Sequence, residues 1–135
     1  MLQPKKSKYR KSFRGKNRGV ASRGSLVEFG EFGLKATTGG WLTSNQIEAA
    51  RKKITYATKR AGRYWMRIFP HKSITGKPVG VKMGSGKGDI QNYVAVIRPG
   101  TVLFEISGVT SEMAKSAFTK AGHKLAVKTT FVAKS

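Results

Sequence analysis

The clearest periodic stretch of the chain follows Thr43. Apolar residues recur there at spacings of 3, 4, 3 and 4 residues, at Ile47, Ala50, Ile54, Ala57 and Ala61. Thr43 as N-cap and Gln46 three residues later form a capping box, and Gly62 supplies a stop. The pattern predicts a helix whose narrow apolar stripe lies on a sheet.

Strand patterns and one further helix pattern fill the rest of the chain after residue 24. Alternating or β-branched and aromatic runs predict strands at Ser25–Thr38, Arg63–Phe69 (ended by Pro70), Tyr93–Arg98, Thr101–Ser107 and Val127–Val132. Thr110 or Ser111 caps a second helix, with an apolar face formed by Ala114, Ala117, Phe118 and Ala121.

The turn Pro99-Gly100 suits type II geometry and predicts a hairpin between its two flanking strands, at the centre of the sheet. The order β-α-β-β-β-α-β predicts an α+β fold, a two-layer sandwich of a mixed or antiparallel sheet with two helices. We expect a single domain over residues 1–135. It divides into a basic extended arm at 1–24 and a globular body at 25–135 that carries a loop at 71–90.

The charge of the chain indicates a binding partner. The chain has 27 Lys and Arg against 6 Asp and Glu, a formal net charge of +21, and self-repulsion on that scale calls for a polyanion. Nucleic acid is the first candidate, an anionic membrane the second, and a merely soluble protein the third. The sequence has no long apolar span, no amphipathic segment of membrane type and no secretory signal pattern. It contains no cysteine, which excludes disulfides and thiolate metal sites.

The first 24 residues contain nine cations and no acid. Tyr9 and Phe13 lie between these cations, as stacking platforms for unpaired bases would. One interpretation is a solvated tail. The other, which the absence of acids favours, is an arm that orders on RNA, with RNA contacts at Lys5, Lys6, Lys8, Tyr9, Arg10, Lys11, Arg14, Lys16, Arg18 and Arg23.

A second set of cations lies on the predicted helix and just after it. Lys52 with Lys59, and Lys53 with Arg60, are seven residues apart and would line up on one helical face. Such a run is usually solvated, but few acids are nearby, which favours a ridge that contacts phosphates. The predicted ridge comprises Arg51, Lys52, Lys53, Lys59, Arg60, Arg63 and Arg67. Trp65, between the last two, is expected in the core, with base stacking as the alternative.

The segment Lys77–Asp89, KPVGVKMGSGKGD, combines glycines with lysines, which suits phosphate. Its spacing excludes a P-loop, because five residues separate Gly80 from Gly86 and Gly88 stands where a hydroxyl is needed. The dinucleotide fingerprint fails as well, and no helix start follows. The six carboxylates are scattered, and His71 and His123 lie far apart. We therefore expect no enzyme, no cofactor and no metal site.

Several segments occur here in the order of one known family. They are MLQPKKSKYRK, FGEFGLKA, W-L-T-S-x-Q-I-E-A-A-R, RYWMRIFPHKSITGKPVGVKMGSGKG, the RPG turn before VLFEI, and HKLAVKTTF. Over essentially its whole length the chain resembles the bacterial large-subunit ribosomal protein sixteen family. The resemblance implies an α+β protein that binds large-subunit ribosomal RNA, supports late assembly of the subunit, and extends a loop towards the peptidyl transferase centre. It also implies contact with aminoacyl-site transfer RNA, neighbouring ribosomal proteins as partners, and no stable homo-oligomer.

By the same resemblance the transfer-RNA-proximal loop comprises Lys77, Lys82, Met83, Gly84, Ser85, Gly86 and Lys87. Three positions depart from the family pattern. Lys82 replaces a common arginine and so loses bidentate phosphate binding. His71 replaces an acidic residue, and Tyr93 a tryptophan. The resemblance implies a cytoplasmic location in a bacterial-type large subunit, with an organellar one left open. A free-standing basic protein, such as an RNA chaperone or a DNA compactor, is the alternative function.

Overall fold

The computed structural model describes residues 24–70, 72–76 and 89–134. Within these ranges it contains seven strands and two helices: β1 (Phe32–Ala36), β2 (Gly40–Thr43), α1 (Ser44–Ala57), β3 (Arg63–Met66), β4 (Lys72–Gly76), β5 (Asp89–Ile97), β6 (Val102–Ser107), α2 (Ser111–Gly122) and β7 (Thr129–Ala133). The predicted α+β class is confirmed. Residues 1–23 of the predicted arm, His71, and residues 77–88 of the predicted loop lie outside the described residues.

The strands form two sheets, where the sequence predicted one. The first sheet has the order β3-β6-β1-β7 and the second the order β2-β5-β4. All pairings among the described strands are antiparallel. Two strands were missed. The four residues of β2 run directly into the α1 cap, and β4 has one apolar residue, Ile74, in a segment predicted as loop. Residues 72–76 and 89–90 of the loop predicted over 71–90 are strand instead, because β4 pairs with β5 up to Gly76 and Asp89.

The hairpin predicted around Pro99-Gly100 is wrong, although the turn itself forms. Gly100 has φ 97°, as type II geometry requires, and the Thr101 N–H donates to the Arg98 carbonyl at 3.2 Å. Ala36 at the end of β1 takes the neighbouring backbone groups, by accepting from Gly100 at 2.7 Å and donating to Thr101 at 2.8 Å. The flanking strands cannot pair with each other there. Instead β5 joins the second sheet and β6 the first.

Helix α1 begins as predicted and ends early. The Thr43 hydroxyl accepts from the Gln46 N–H at 3.2 Å, and the Gln46 side chain accepts from the Thr43 N–H at 3.0 Å, which confirms the capping box. The helix ends at Ala57, five residues before the predicted stop at Gly62. Within the predicted stripe Ile47, Ala50 and Ile54 are buried, whereas Ala57 is half-buried and Ala61 exposed.

The core lies between the helices and both sheets. Helix α2, capped by Thr110, packs against α1 and buries the four predicted residues of its apolar face. Both sheets contribute to the same cluster of buried side chains, which includes Leu34, Leu42, Ile47, Ile54, Ala95, Ile97, Phe104, Ile106 and Phe118. The strand ends differ slightly from prediction, since β3 stops at Met66 and β7 starts at Thr129. The helices and the sheets therefore share one core.

A buried carboxylate, which the sequence analysis did not single out, organises the outer face of the first sheet. Glu105 on β6 is fully buried, and its Oε1 accepts from three successive N–H groups, those of Glu28, Phe29 and Gly30, at 3.0, 2.7 and 2.8 Å. Its Oε2 pairs with the Arg67 guanidinium. Since a buried charge needs such partners, residues 24–31 are held against β6.

Space at Gly30 reinforces this contact. A Cβ there would lie 2.7 Å from the Ile106 carbonyl oxygen, so only glycine lets the segment approach β6 this closely. Burial by itself raises the pKa of the Glu105 carboxyl. The hydrogen bonds from Gly30, Arg67 and Phe29 outweigh that effect and hold its pKa below the ordinary value.

We expect Glu105→Gln to destabilise the protein by about 3 kcal/mol, because it removes one partner of a buried ion pair. The group is ionised at lower pH in the folded than in the unfolded chain, so its contribution is present above the ordinary pKa of about 4.3. That contribution is lost as the pH falls through the lowered value. Urea denaturation of wild type and variant between pH 7 and pH 2 should show their difference shrinking below about pH 4.

The control is Glu112→Gln in the first turn of α2, where the side chain is exposed. Its effect should stay within about 0.5 kcal/mol. Equal losses for the two variants, or a difference that does not change with pH, would contradict the assignment to Glu105.

Candidate nucleic-acid interface

The structure describes seven of the predicted RNA-contacting cations, those of the ridge. The predicted arm contacts between Lys5 and Arg23, and the predicted loop residues from Lys77 to Lys87, lie outside the described residues and stay predictions. The seven do not form one ridge. They fall into three groups, which differ in the groups of the protein that contact each cation.

Arg51 on α1 is engaged within the protein. Its Nε donates to the Glu48 carboxylate at 2.6 Å, a second nitrogen pairs with the same oxygen, and Nη1 lies 3.4 Å from the Tyr64 hydroxyl. These hydrogen bonds to Tyr64 and Glu48 raise the pKa of Arg51. The side chain is about a quarter exposed, so the pair contributes little to stability, about 0.3–0.5 kcal/mol. It fixes the guanidinium and neutralises the one acid of α1.

Lys52, Lys53, Lys59 and Arg60 are exposed, and no ion pair with a described residue engages them. Their predicted alignment on one helical face is wrong. The helix ends at Ala57, and Lys59 and Arg60 have φ 53° and 62°, in the left-handed region. Lys59 and Arg60 therefore form a turn beyond the helix, while Lys52 and Lys53 remain on its outward face.

Arg63 and Arg67 belong to a stack on the outer face of the first sheet. The Arg63 guanidinium carbon lies 5.3 Å from the Trp65 ring centroid, and Trp65 stacks on Phe29 at 6.3 Å. Arg67 lies 5.1 Å over the other ring of that pair, Phe29. Trp65 is half-buried, while Phe29 is 58% exposed. Trp65 therefore packs within the fold at the surface and does not enter the central core.

Arg67 has a structural role that the sequence did not indicate. Its side chain is 12% exposed and pairs with Glu105, while Nη1 also donates to the Leu26 carbonyl at 3.1 Å. The Glu28 carboxylate lies 3.8 Å from Nη2. Three partners inside the protein leave the guanidinium little surface for phosphate, so its predicted RNA contact is the one that the geometry favours least.

Two residues of interest were missed from the sequence. Glu105 was counted only among the scattered carboxylates, and the signal that marks it is its place in a strand, VLFEIS, whose other residues up to Ile106 are all apolar. Tyr56, 84% exposed on α1, was overlooked because it lies outside the apolar stripe. An aromatic residue on the polar face of a basic helix is itself the signal.

Within the described ranges, little supports a metal site or a membrane-spanning helix. No three His, Cys, Asp or Glu side chains gather there where they could hold a metal ion. His123 is exposed at the C-cap of α2. Neither described helix has the length and apolar content to cross a membrane.

Comparison with known proteins places the chain in a family. The model of the family described as Ribosomal protein L16p/L10e matches residues 4–132. The chain belongs to the L16p/L10e family of ribosomal proteins. Two similar proteins are both named large ribosomal subunit protein uL16. The one from Streptococcus suis (strain 98HAH33) is 54% identical over 132 residues, and the one from Streptococcus uberis (strain ATCC BAA-854 / 0140J) is 55% identical over 132 residues.

In both comparisons the alignment covers 98% of this chain and 96% of the relative. The L16p/L10e match includes most of the predicted arm and the whole of the predicted loop, as well as the described body. The family resemblance predicted from the sequence is thus confirmed. The role of each individual cation stays a prediction.

The geometry predicts a large loss of stability when one cation is replaced and almost none when another is. Arg67→Met should lower the free energy of unfolding by about 3 kcal/mol, because it leaves the buried Glu105 carboxylate without its counter-charge. Lys52→Met should change stability by less than about 0.5 kcal/mol, because that side chain is exposed. Chemical denaturation at pH 7 measures both. Similar stabilities for the two variants would show that the Arg67 pair does not hold the fold.

Proposed function

We propose that this chain is a structural constituent of the large ribosomal subunit and binds large-subunit ribosomal RNA in the cytoplasm. The observation that carries the proposal is the family match over residues 4–132, which spans arm, body and loop. The net charge of +21 fits a protein whose stable state includes a polyanion. We also propose neighbouring ribosomal proteins as partners and a role in late subunit assembly, and the family match supports both proposals. The work of the chain is binding, and we propose no catalytic activity.

Ribosomal RNA contact is proposed for three parts of the chain. The first is the arm, with its nine cations and no acid. The second comprises the exposed cations on α1 and in the turn after it, where the nearby Glu48 carboxylate is neutralised by Arg51. The third is Arg63, whose charge lies over an aromatic ring at the surface. Separate basic surfaces suit a partner that surrounds the protein, as folded RNA does.

Transfer RNA contact in the aminoacyl site is proposed for the loop residues Lys77, Lys82, Met83, Gly84, Ser85, Gly86 and Lys87. Support comes from their sequence and from how the segment is anchored. Strands β4 and β5 pair up to Gly76 and Asp89, so both ends of the segment 77–88 start from neighbouring strands. Glycines would let its backbone N–H groups approach phosphate, and lysines would supply the charge.

Sedimentation tests the central proposal. Lysate of the source cell is separated on a sucrose gradient at moderate salt, and the chain is detected with an antibody. We expect it to sediment with the large subunit and to be released as salt rises, because phosphate contacts weaken with salt. A chain found mainly in the free fractions at moderate salt would favour the free-standing nucleic-acid-binding protein instead.

The loop is tested in assembled subunits. Lys82→Ala with Lys87→Ala should leave folding and incorporation into the subunit intact and weaken aminoacyl-site transfer RNA binding, since two phosphate-binding charges are lost. Filter binding with purified ribosomes measures the effect. The control is Lys115→Ala with Lys120→Ala on the exposed face of α2, which removes the same charge. Transfer RNA binding unchanged by the loop variants would defeat the assignment.

A further inference from the structure

Tyr56 is an exposed aromatic residue without a visible structural purpose. Its side chain is 84% exposed on the outward face of α1. No described residue forms a hydrogen bond, ion pair or ring contact with that side chain. A tyrosine at this position gains nothing from burial, and several other residue types form helices more readily. The Tyr56 ring is therefore available for contact with a binding partner.

The cations around Tyr56 define the chemistry of that partner. Lys53 and Lys52 precede Tyr56 by three and four residues, which places them one turn away on the same face. Lys59 and Arg60 follow directly after the helix, and the Lys59 N–H donates to the Tyr56 carbonyl at 3.1 Å. Glu48, the one acid of α1, is already bound by Arg51. We call these five residues (Lys52, Lys53, Tyr56, Lys59 and Arg60) the Tyr56 patch.

The backbone of the patch is strained. Lys59 and Arg60 both lie in the left-handed region, which disfavours residues with a Cβ and suits glycine or asparagine. Thr58 holds the turn in place, since it is buried and its hydroxyl donates to the Ile54 carbonyl at 2.9 Å. The Arg60 N–H donates to the Thr55 carbonyl at 3.0 Å. Strain of this kind persists at functional sites, where presenting a particular side chain matters more than stability.

Gly62 fixes the other end of the turn. It has φ 74°, and a Cβ there would lie 2.3 Å from the Ser107 carbonyl oxygen on β6. The turn is thus tied to the first sheet on one side and to α1 on the other. The fold thereby fixes the backbone of two cations, Lys59 and Arg60, that follow Tyr56 by three and four residues.

We propose that the Tyr56 patch binds an unpaired nucleotide of ribosomal RNA. The Tyr56 ring stacks on the base, and the four cations bind the phosphates on either side of it. An aromatic ring set among cations matches a single-stranded nucleotide, because base stacking and phosphate charge are both satisfied. Protein interfaces are depleted of lysine, whereas three of the four cations of this patch are lysines, which disfavours a protein partner. The proposal rests on the proposed binding of ribosomal RNA.

The test separates stacking from charge. Purified wild type, Tyr56→Phe, Tyr56→Leu and Lys52→Met are titrated against large-subunit ribosomal RNA at several salt concentrations. Tyr56→Phe should bind within about twofold of wild type, because the ring remains. Tyr56→Leu should bind roughly 5- to 100-fold more weakly with an unchanged salt slope. Lys52→Met should reduce the slope of log K against log salt by roughly 0.7–0.9, the value for one phosphate contact.

Met113→Ala on α2 is the matched control. That side chain is also exposed and apolar, but it neighbours Glu112 and not a cation. Its affinity for the RNA should equal that of wild type. Thermal melting of every variant checks that the exposed positions leave the fold intact. If Tyr56→Leu binds the RNA like wild type, or if it changes the salt slope, the stacking role is overturned.

Chemical modification of the RNA gives a second readout. In subunits assembled with wild type, one or two unpaired nucleotides should be protected from acylation of their 2′-hydroxyl groups, because stacking immobilises them, and the same nucleotides should become reactive with Tyr56→Leu. If Tyr56→Leu weakens incorporation into subunits but binds naked RNA normally and exposes no nucleotide, the partner is a protein and the proposal fails. If wild type itself does not bind the RNA, the proposed function fails as well, so the two failures are distinguishable.

The strained turn has its own test. Lys59→Gly should raise the melting temperature of the free protein by a few degrees, because glycine adopts φ 53° without strain. For the same variant, the slope of log K against log salt for RNA binding should fall by roughly 0.7–0.9, the value for one phosphate contact. A lower melting temperature would contradict the strain, and an unchanged slope would remove Lys59 from the site.

Discussion

The contact between Glu105 and the segment 24–31 is the constraint on which the rest of the surface depends. One carboxylate holds three successive N–H groups and one guanidinium. These bonds lay the segment across β6, where Val102 also donates to the Gly24 carbonyl at 2.7 Å. The point at which the basic arm joins the body is thereby fixed. Phe29 is fixed by the same bonds, and with it the aromatic stack that carries Arg63.

Ion pairs within the protein divide the cations by function. Arg67 offsets a buried negative charge, and Arg51 binds the acid of α1, so both act within the protein. Lys52, Lys53, Lys59 and Arg60 have no such partner among the described residues and remain open to an external anion. A count of basic residues in the sequence cannot separate these groups, because it does not show which carboxylate folds back onto which guanidinium.

Sequence reasoning succeeded where the signal is local. The capping box at Thr43, the apolar stripe of α1 as far as Ile54 and the buried face of α2 each follow from spacing within one element. It failed where contacts with residues far away in the sequence determine strand pairing or the end of a helix. The Pro99-Gly100 turn forms as its residues predict, yet Ala36 binds the Gly100 N–H and the Thr101 carbonyl, and the next strand joins another sheet. The early end of α1 likewise depends on Thr58, whose hydroxyl bonds back to Ile54, and on the tight approach of Gly62 to β6.

The place of β1 in the first sheet has a consequence for biosynthesis. β1 lies between β6 and β7, and its Phe32 opposes both Ile106 and Ala133, so its two neighbours come from the last third of the chain. Until those residues have left the exit tunnel, β1 has no strand to pair with and presents two unpaired edges. Unpaired edges favour aggregation, and long-range pairing is slow. The first sheet is therefore completed only after residues 129–133 have left the exit tunnel, and every shorter nascent chain carries an unpaired edge of β1.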